Sequence, residues 1–294
     1  MLNINQSRTL RRTLIRLRPY DLEDLIRSPT TYLARKFHGI RRVIPAQSPS
    51  PISIICISDT HGQQPDIPLG DVLIHAGDLT HRGTLKEIQA CFDWLKAQPH
   101  QHKIVIGGNH DVFLDPEIRS YSKTVQTLDT SGLIYLQNGS ATIECADGRT
   151  LKVFGSPMSP KFYGYTAFQY PREENVWENQ IPDDVDILVT HGPPLGYRDR
   201  SFGCAFLSQE VWRTKPKLHV FGHIHEANGQ QLVAYDDVER AYMAVVARKE
   251  GLFALLHFVY LFFVSFFHTP VRSHTQVVNA AMRTKNTTPI KVQI

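Results

Sequence analysis

Six short apolar runs recur after residue 50, at 52–57, 72–75, 103–106, 151–154, 187–190 and 218–221. Each is four to six residues long and rich in Ile, Val and Leu, so each reads as a strand buried on both faces. Between the second and third runs the period changes. Over 84–98, Leu85, Ile88, Cys91, Phe92 and Leu95 recur at helical spacing behind a Thr84-x-x-Glu87 capping box, with Pro99 beyond the end. Strand, helix and strand in this order predict a βαβ crossover and an α/β layered architecture. The segment 207–215 reads as another short helix, with Ser208 as its cap and Pro216 as its stop.

Composition adds a boundary. The stretch PAQSPSP at 45–51 cannot continue a helix and reads as a linker, which divides the chain into a basic arm over 1–50 and a domain over 51–294. Of the formal charge of +4, the first 50 residues carry +7, from ten Lys/Arg against three acids, which leaves −3 for the rest. The basic balance therefore belongs to the arm, and no specific nucleic-acid binding by the domain is expected. Cys56, Cys91, Cys145 and Cys204 are widely spaced and form no C-x-x-C, which points to a reducing compartment. Residues 1–20 have five arginines and no apolar core of a signal peptide, so a cytoplasmic location is expected. Targeting to mitochondria through this acid-free, Arg- and Ser/Thr-containing stretch is the alternative.

The chemistry follows the strands. The first run leads into Asp59-Thr60-His61, the second into Gly77-Asp78, and the third into Gly108-Asn109-His110-Asp111; the last two lead into His191-Gly192 and Gly222-His223-Ile224-His225. Carboxyl ends of strands are where open α/β sheets bind ligands, and carboxylate, amide oxygen and imidazole suit Mn, Zn and Fe. Any one of these motifs alone is more often a turn or a helix cap. Five in order, each behind a buried strand, point to a site large enough for two metals.

These motifs resemble the series of the calcineurin-like metallophosphoesterases. Cys56 to His61, Leu73 to Leu79, Thr190 to Gly196 and His219 to Glu226 further resemble the MPPED-type subfamily, which is related to class III cyclic nucleotide phosphodiesterases. The resemblance implies a metallophosphoesterase double β-sandwich flanked by helices. It implies that Asp59, His61, Asp78 and His225 hold one divalent metal and Asp78, Asn109, His191 and His223 a second, manganese first, with iron or zinc as alternatives. Asp78 is then the bridge, and the reaction a hydrolysis of a phosphodiester by a hydroxide held between the metals, formed from a water whose pKa such binding lowers to about 7. In that assignment His110 has no ligand role; it would bind phosphoryl oxygens and protonate the leaving alkoxide, with Asp111 orienting its ring. A small phosphodiester or nucleotide is the expected substrate. A phosphomonoesterase or protein phosphatase, and a non-catalytic scaffold, are the rival readings.

His75 and His219 lie inside apolar runs and read as hydrogen-bonded core histidines, whereas His38 and His81 among others have no motif context. Tyr163, Tyr165 and Phe168 around Gly164 read either as a substrate wall or as a loop packed on itself. The departure from the family pattern is an apolar insertion at about 234–274. It separates the last ligands from 275–281 and 289–294, which resemble the closing strands. Residues 251–271 carry no charge and, as one helix of about 31 Å, would be long enough to span a bilayer. A span would place the closing strands on the far side of the membrane from their sheet. Three readings stay open: a peripheral apolar hairpin on a membrane or partner, a span in a protein lacking its final strands, or a translated intron.

Overall fold

A computed structural model describes residues 25–41, 43, 50–119, 127–162, 166–247, 250–267, 273–282 and 287–294, and in it all six apolar runs contain strands. In chain order the first are β1 (Ser53–Ile57), β2 (Val72–Ala76), β3 (His102–Ile106), β4 (Ile134–Tyr135), β5 (Gly139–Glu144) and β6 (Thr150–Ser156). There follow β7 (Ser159–Pro160), β8 (Gln169–Tyr170), β9 (Ile187–Thr190), β10 (Leu218–Phe221), β11 (Gly229–Ala234), β12 (His274–Asn279) and β13 (Ile290–Gln293). The helices are α1 (Pro29–Gly39), α2 (Leu85–Lys96), α3 (Pro116–Arg119), α4 (Ala205–Thr214), α5 (Asp237–Val246) and α6 (Gly251–Val264). Contacts divide the chain into two compact units, one of Val43–Asp236 with Pro270–Ile294, the other of Met1–Arg42 with Asp237–Thr269. This division differs from a boundary at residue 50, because the insertion groups with the N-terminal helix.

The larger unit contains two sheets. One runs β13-β1-β2-β3-β4, the other β11-β12-β10-β9-β6-β5, and their inner strands are parallel. In β1 the two-residue period of a strand sorts the side chains. Ile54 and Cys56 join Ile74, Ile104, Val153, Val189 and Val220 in the core shared by both sheets, while Ile55 and Ile57 join the face covered by α2. The expected capping box of α2 is present, with both the Thr84 side chain and the Glu87 side chain engaged, and Ile88, Cys91, Phe92 and Leu95 are its buried stripe. In α4 the cap is not Ser208. The helix begins earlier, Cys204 sulfur accepts from the Leu207 N–H at its N-cap, and Ser208 Oγ donates to the Leu195 carbonyl. The chain leaves α4 through Lys215 in the left-handed conformation, with Pro216 beyond.

The segments expected to close the fold do so. β12 inserts between β10 and β11, and β13 pairs antiparallel with β1. The insertion departs from one hairpin: Ala234 at the end of β11 and His274 at the start of β12 are direct cross-strand partners. Two observations bear on the span reading. Among the described residues no helix is long and apolar enough to cross a membrane, since the 14 residues of α6 rise only about 21 Å. The strand after the insertion also lies inside the same sheet as the strand before it.

In the smaller unit, α1, α5 and α6 share an aromatic core of Phe37, Tyr242, Phe258 and Phe262. Glu239 is fully buried there and accepts from His38 Nε2 at 2.8 Å and Arg41 Nη1 at 2.9 Å, with the His38 ring stacked 4.0 Å from Tyr242. His38, which has no motif context in the sequence, is thus one of the groups that satisfy a buried carboxylate. The arm therefore includes a packed helix; residues 1–24 and most of the linker, at 44–49, lie outside the described residues.

Candidate metal centre

The ligand loops require unusual backbone. Asp59, His61, Asp78 and His223 all have φ between 46° and 67°, the left-handed region that costs a non-glycine residue about 1 kcal/mol or more. Glycines let the loops close on one another. A Cβ at Gly108 would collide with the Asp78 backbone and carboxylate, and one at Gly222 with the Asp59 carboxylate and the Ser58 hydroxyl.

These loops bring Asp59, His61, Asp78, Asn109, His110, His191, His223 and His225 together. Ligand atoms of Asp59, His61 and His225 lie within 4.8 Å of one another, as do those of Asp78, His191 and His223 and, overlapping the first group, those of His61, His81 and His110. In the first group His225 Nε2 is 3.1 Å from Asp59 Oδ1 and 3.4 Å from His61 Nε2. In the second, His191 Nε2 is 3.4 Å from Asp78 Oδ1 and 3.0 Å from Asn109 Oδ1. Asp78 reaches across, its Oδ2 lying 4.0 Å from both His61 Nε2 and His110 Nε2.

Carbonyl oxygens fix the imidazoles. A carbonyl only accepts, so the Nδ1 atoms of His61, His191 and His110 carry the protons they donate to Thr80, Ala76 and His81 carbonyls, at 3.3, 2.9 and 3.0 Å. With Nδ1 occupied in this way, Nε2 of His61 and of His191 is the ring atom left to face the centre, the arrangement of a metal ligand oriented from behind. Two buried carboxylates, an amide oxygen and converging ring nitrogens fit two divalent cations of the manganese, iron or zinc kind.

Charge is balanced tightly. Burial works to raise Asp59 and Asp78, but the neighbouring imidazoles outweigh it and hold both below the usual carboxylate range. Burial works to lower His191, yet the Asp78 charge and hydrogen bond raise it to about 9, whereas burial and the His191 charge take His223 down to about 4.

Asp111 does not orient the His110 ring. Its buried carboxylate accepts the N–H groups of Leu79, Thr80 and Gly108 and the Thr80 hydroxyl, all within 2.9–3.0 Å. Burial and the Asp78 charge push it up to about 7, against which the bonds from the Leu79 N–H, the Thr80 hydroxyl and the Gly108 N–H work. The physical reason is local. Two turns, one after β2 and one after β3, point their N–H groups at the same spot, and an acceptor-only side chain satisfies both. The His81 carbonyl takes the ring-orienting role expected of Asp111, and the His81 ring stacks 5.9 Å from His110 and meets His61 at 6.1 Å. Nothing local in the sequence marks His81 beyond its place three residues after Asp78 on the same turn.

His75 and His219 are core histidines as expected, fully buried and bonded through Nε2 to the Thr60 and Thr190 hydroxyls at 2.9 and 2.8 Å. Asn279 of β12 donates to the Ile224 carbonyl, and the Met282 N–H to the Ser58 carbonyl, so the segment after the insertion buttresses two ligand loops. Phe168 is buried beside Leu114 and Leu79, not free as a wall, while Tyr163 and Tyr165 lie outside the described residues.

A family profile described as calcineurin-like phosphoesterase matches residues 52–227. The chain is 44% identical over 236 residues to a protein of Emericella nidulans named probable rhamnogalacturonate lyase C, aligning 78% of this chain with 23% of that one. It is 41% identical over 219 residues to metallophosphoesterase domain-containing protein 1 of Homo sapiens, aligning 63% of this chain with 65% of that one. It therefore spans less than two thirds of either relative. Among solved structures it is similar to the protein TT1561 of Thermus thermophilus, with a TM-score of 0.44 and 14% identity over 62% of this chain and 84% of that one.

Proposed function

The chain belongs to the calcineurin-like phosphoesterase family, and on that premise we propose that it is a phosphodiesterase acting on a small diester such as a nucleotide. The observation that supports this reading is that Asp78, grouped with His191 and His223, also lies 4.0 Å from His61 of the neighbouring group. Asp59, His61 and His225 would hold one divalent ion and Asn109, His191 and His223 the other, with Asp78 shared. When bound, the two ions supply Lewis acidity toward phosphoryl oxygens and a hydroxide nucleophile near neutral pH.

The chain's own residues do the rest. His110 is about one third exposed at the mouth of the site, its Nδ1–H held by the His81 carbonyl and its Nε2 aimed inward. Protonated at both nitrogens, it donates through Nε2 to a phosphoryl oxygen and then gives that proton to the departing alkoxide. Its backbone N–H, 2.8 Å from Asp78 Oδ1, holds the shared carboxylate in place.

A cavity of about 530 Å³ is lined by Thr60, Gln63, Asp66, Thr287 and Thr288 and by none of the proposed ligands, so it does not bear on the choice of substrate. A scaffold without chemistry is disfavoured by the complete ligand set. The lyase named in the Emericella protein is not carried over, because the shared part is under a quarter of that protein and holds the phosphoesterase motifs.

The test is hydrolysis of bis-p-nitrophenyl phosphate against p-nitrophenyl phosphate, each with Mn or with a chelator. Mn-dependent turnover that is faster on the diester is expected. Faster turnover of the monoester would make it a phosphomonoesterase, and none on either substrate with Mn, Fe or Zn would make it a scaffold.

A further inference from the structure

The helix α6 is apolar on two faces, and only one of them is covered. Leu255, Phe258 and Phe262 are buried in the smaller unit, whereas Leu252, Phe253, Leu256, Tyr260, Phe263 and Phe266 face solvent, Phe253 at 86% exposure. A helix on a water-exposed surface ordinarily turns a polar face outward, and a contiguous apolar stripe of this kind marks a surface that something covers.

Charge says what covers it. Residues 1–42 carry ten Lys/Arg against three acids, and 237–269 three of each, so the unit to which α6 belongs has an excess of +7. The remainder of the chain is −3. Two copies packing stripe to stripe would bring two such excesses together, whereas a bilayer with anionic headgroups offers an acyl layer to the stripe and opposite charge to the arginines. Aromatic rings and a tyrosine along the stripe suit the headgroup boundary. At 14 residues the helix is too short to cross and long enough to lie in the plane.

We propose that the smaller unit docks on an anionic membrane, with α6 lying in the interface through Leu252, Phe253, Leu256, Tyr260 and Phe263. The buried Glu239, clasped by His38 and Arg41, ties the basic arm's helix α1 to the apolar helix pair, so both attractions act through one body. Two weak anchors together give stable docking where either alone is marginal.

The experiment is sedimentation of the full chain with vesicles of phosphatidylcholine alone and with about one third phosphatidylserine. Binding to the anionic vesicles is expected, falling about tenfold in Phe253→Glu with Leu256→Glu while diester hydrolysis is kept. Should the double variant misfold by circular dichroism, Phe253→Ser alone, at the most exposed position, makes the same comparison. Three results would overturn the proposal: no preference of wild type for anionic vesicles, undiminished binding by a folded variant, or a wild-type dimer that the variant abolishes and that binds no vesicles.

Discussion

Asp78 is the residue on which both halves of the site depend. It accepts the His110 N–H, neighbours His191, and reaches toward His61, so Asp78→Ala should abolish metal loading and diester turnover together. Metal content measured beside rate tests this; hydrolysis at the wild-type rate would end the two-metal assignment. His110 separates binding from chemistry. His110→Ala keeps every proposed ligand and should retain metal while kcat falls by about 10² to 10⁴. Loss of metal in parallel with rate would move His110 into the ligand set. Asp111 acts at one remove. Its four bonds join the turn after β2 to the turn after β3, so Asp111→Ala leaves three buried N–H groups without an acceptor. A loss of several kcal/mol in urea unfolding is expected, at about 1–3 kcal/mol per orphaned donor, with metal affinity weakened as well. Unchanged stability would show that water or relaxation replaces those bonds.

At the scale of elements, the insertion hangs from a hairpin already in register. Ala234 pairs with His274, and the Tyr235 N–H donates to the Ser273 carbonyl at 3.4 Å. Joining Tyr235 to Ser273 through Asn-Gly, in place of residues 236–272, would therefore close β11 and β12 with a two-residue turn of matching twist. The shortened chain should fold, keep its metals, and hydrolyse the diester at a rate within about threefold of wild type, because no ligand or buttressing residue is removed. Failure to fold would show that the helical unit supports the sheet. The same design bears on the intron reading: tryptic peptides from 252–267 in the native protein would exclude it, and their absence beside a continuous 235–273 junction would establish it.

For the whole molecule, buried neutral histidines set how stability depends on pH. His219 donates through Nε2 to Thr190, whose own hydroxyl proton goes to the Gly192 carbonyl, and burial takes its pKa down to about 3. The unfolded chain binds a proton at His219 below about pH 6.5, which the folded chain refuses until about pH 3. Between those values the unfolded state holds more protons, so stability rises with pH and is lost as pH falls, by up to about 1.4 kcal/mol per pH unit from this group. Urea midpoints of chelator-treated protein should therefore fall from pH 6.5 downward, and His219→Gln should flatten that slope. An unchanged slope would mean that His219 titrates in the folded state. Much of this architecture was legible in the chain itself. A strand buried on both faces must be a continuous apolar run, a capping box is written within four residues, and a ligand at a strand end follows that run directly, so these are local and can be read. What was not legible depends on partners distant in the chain. Periodicity says which side of an element is buried and is silent on what buries it. Only the tertiary structure placed His225 against Asp59, gave Asp111 to three amides instead of to an imidazole, brought His81 to His110, set β12 between β10 and β11, and folded the basic arm's helix onto the apolar insertion. Those outcomes were decided by which donors, acceptors and apolar faces remained unsatisfied once the strands had paired.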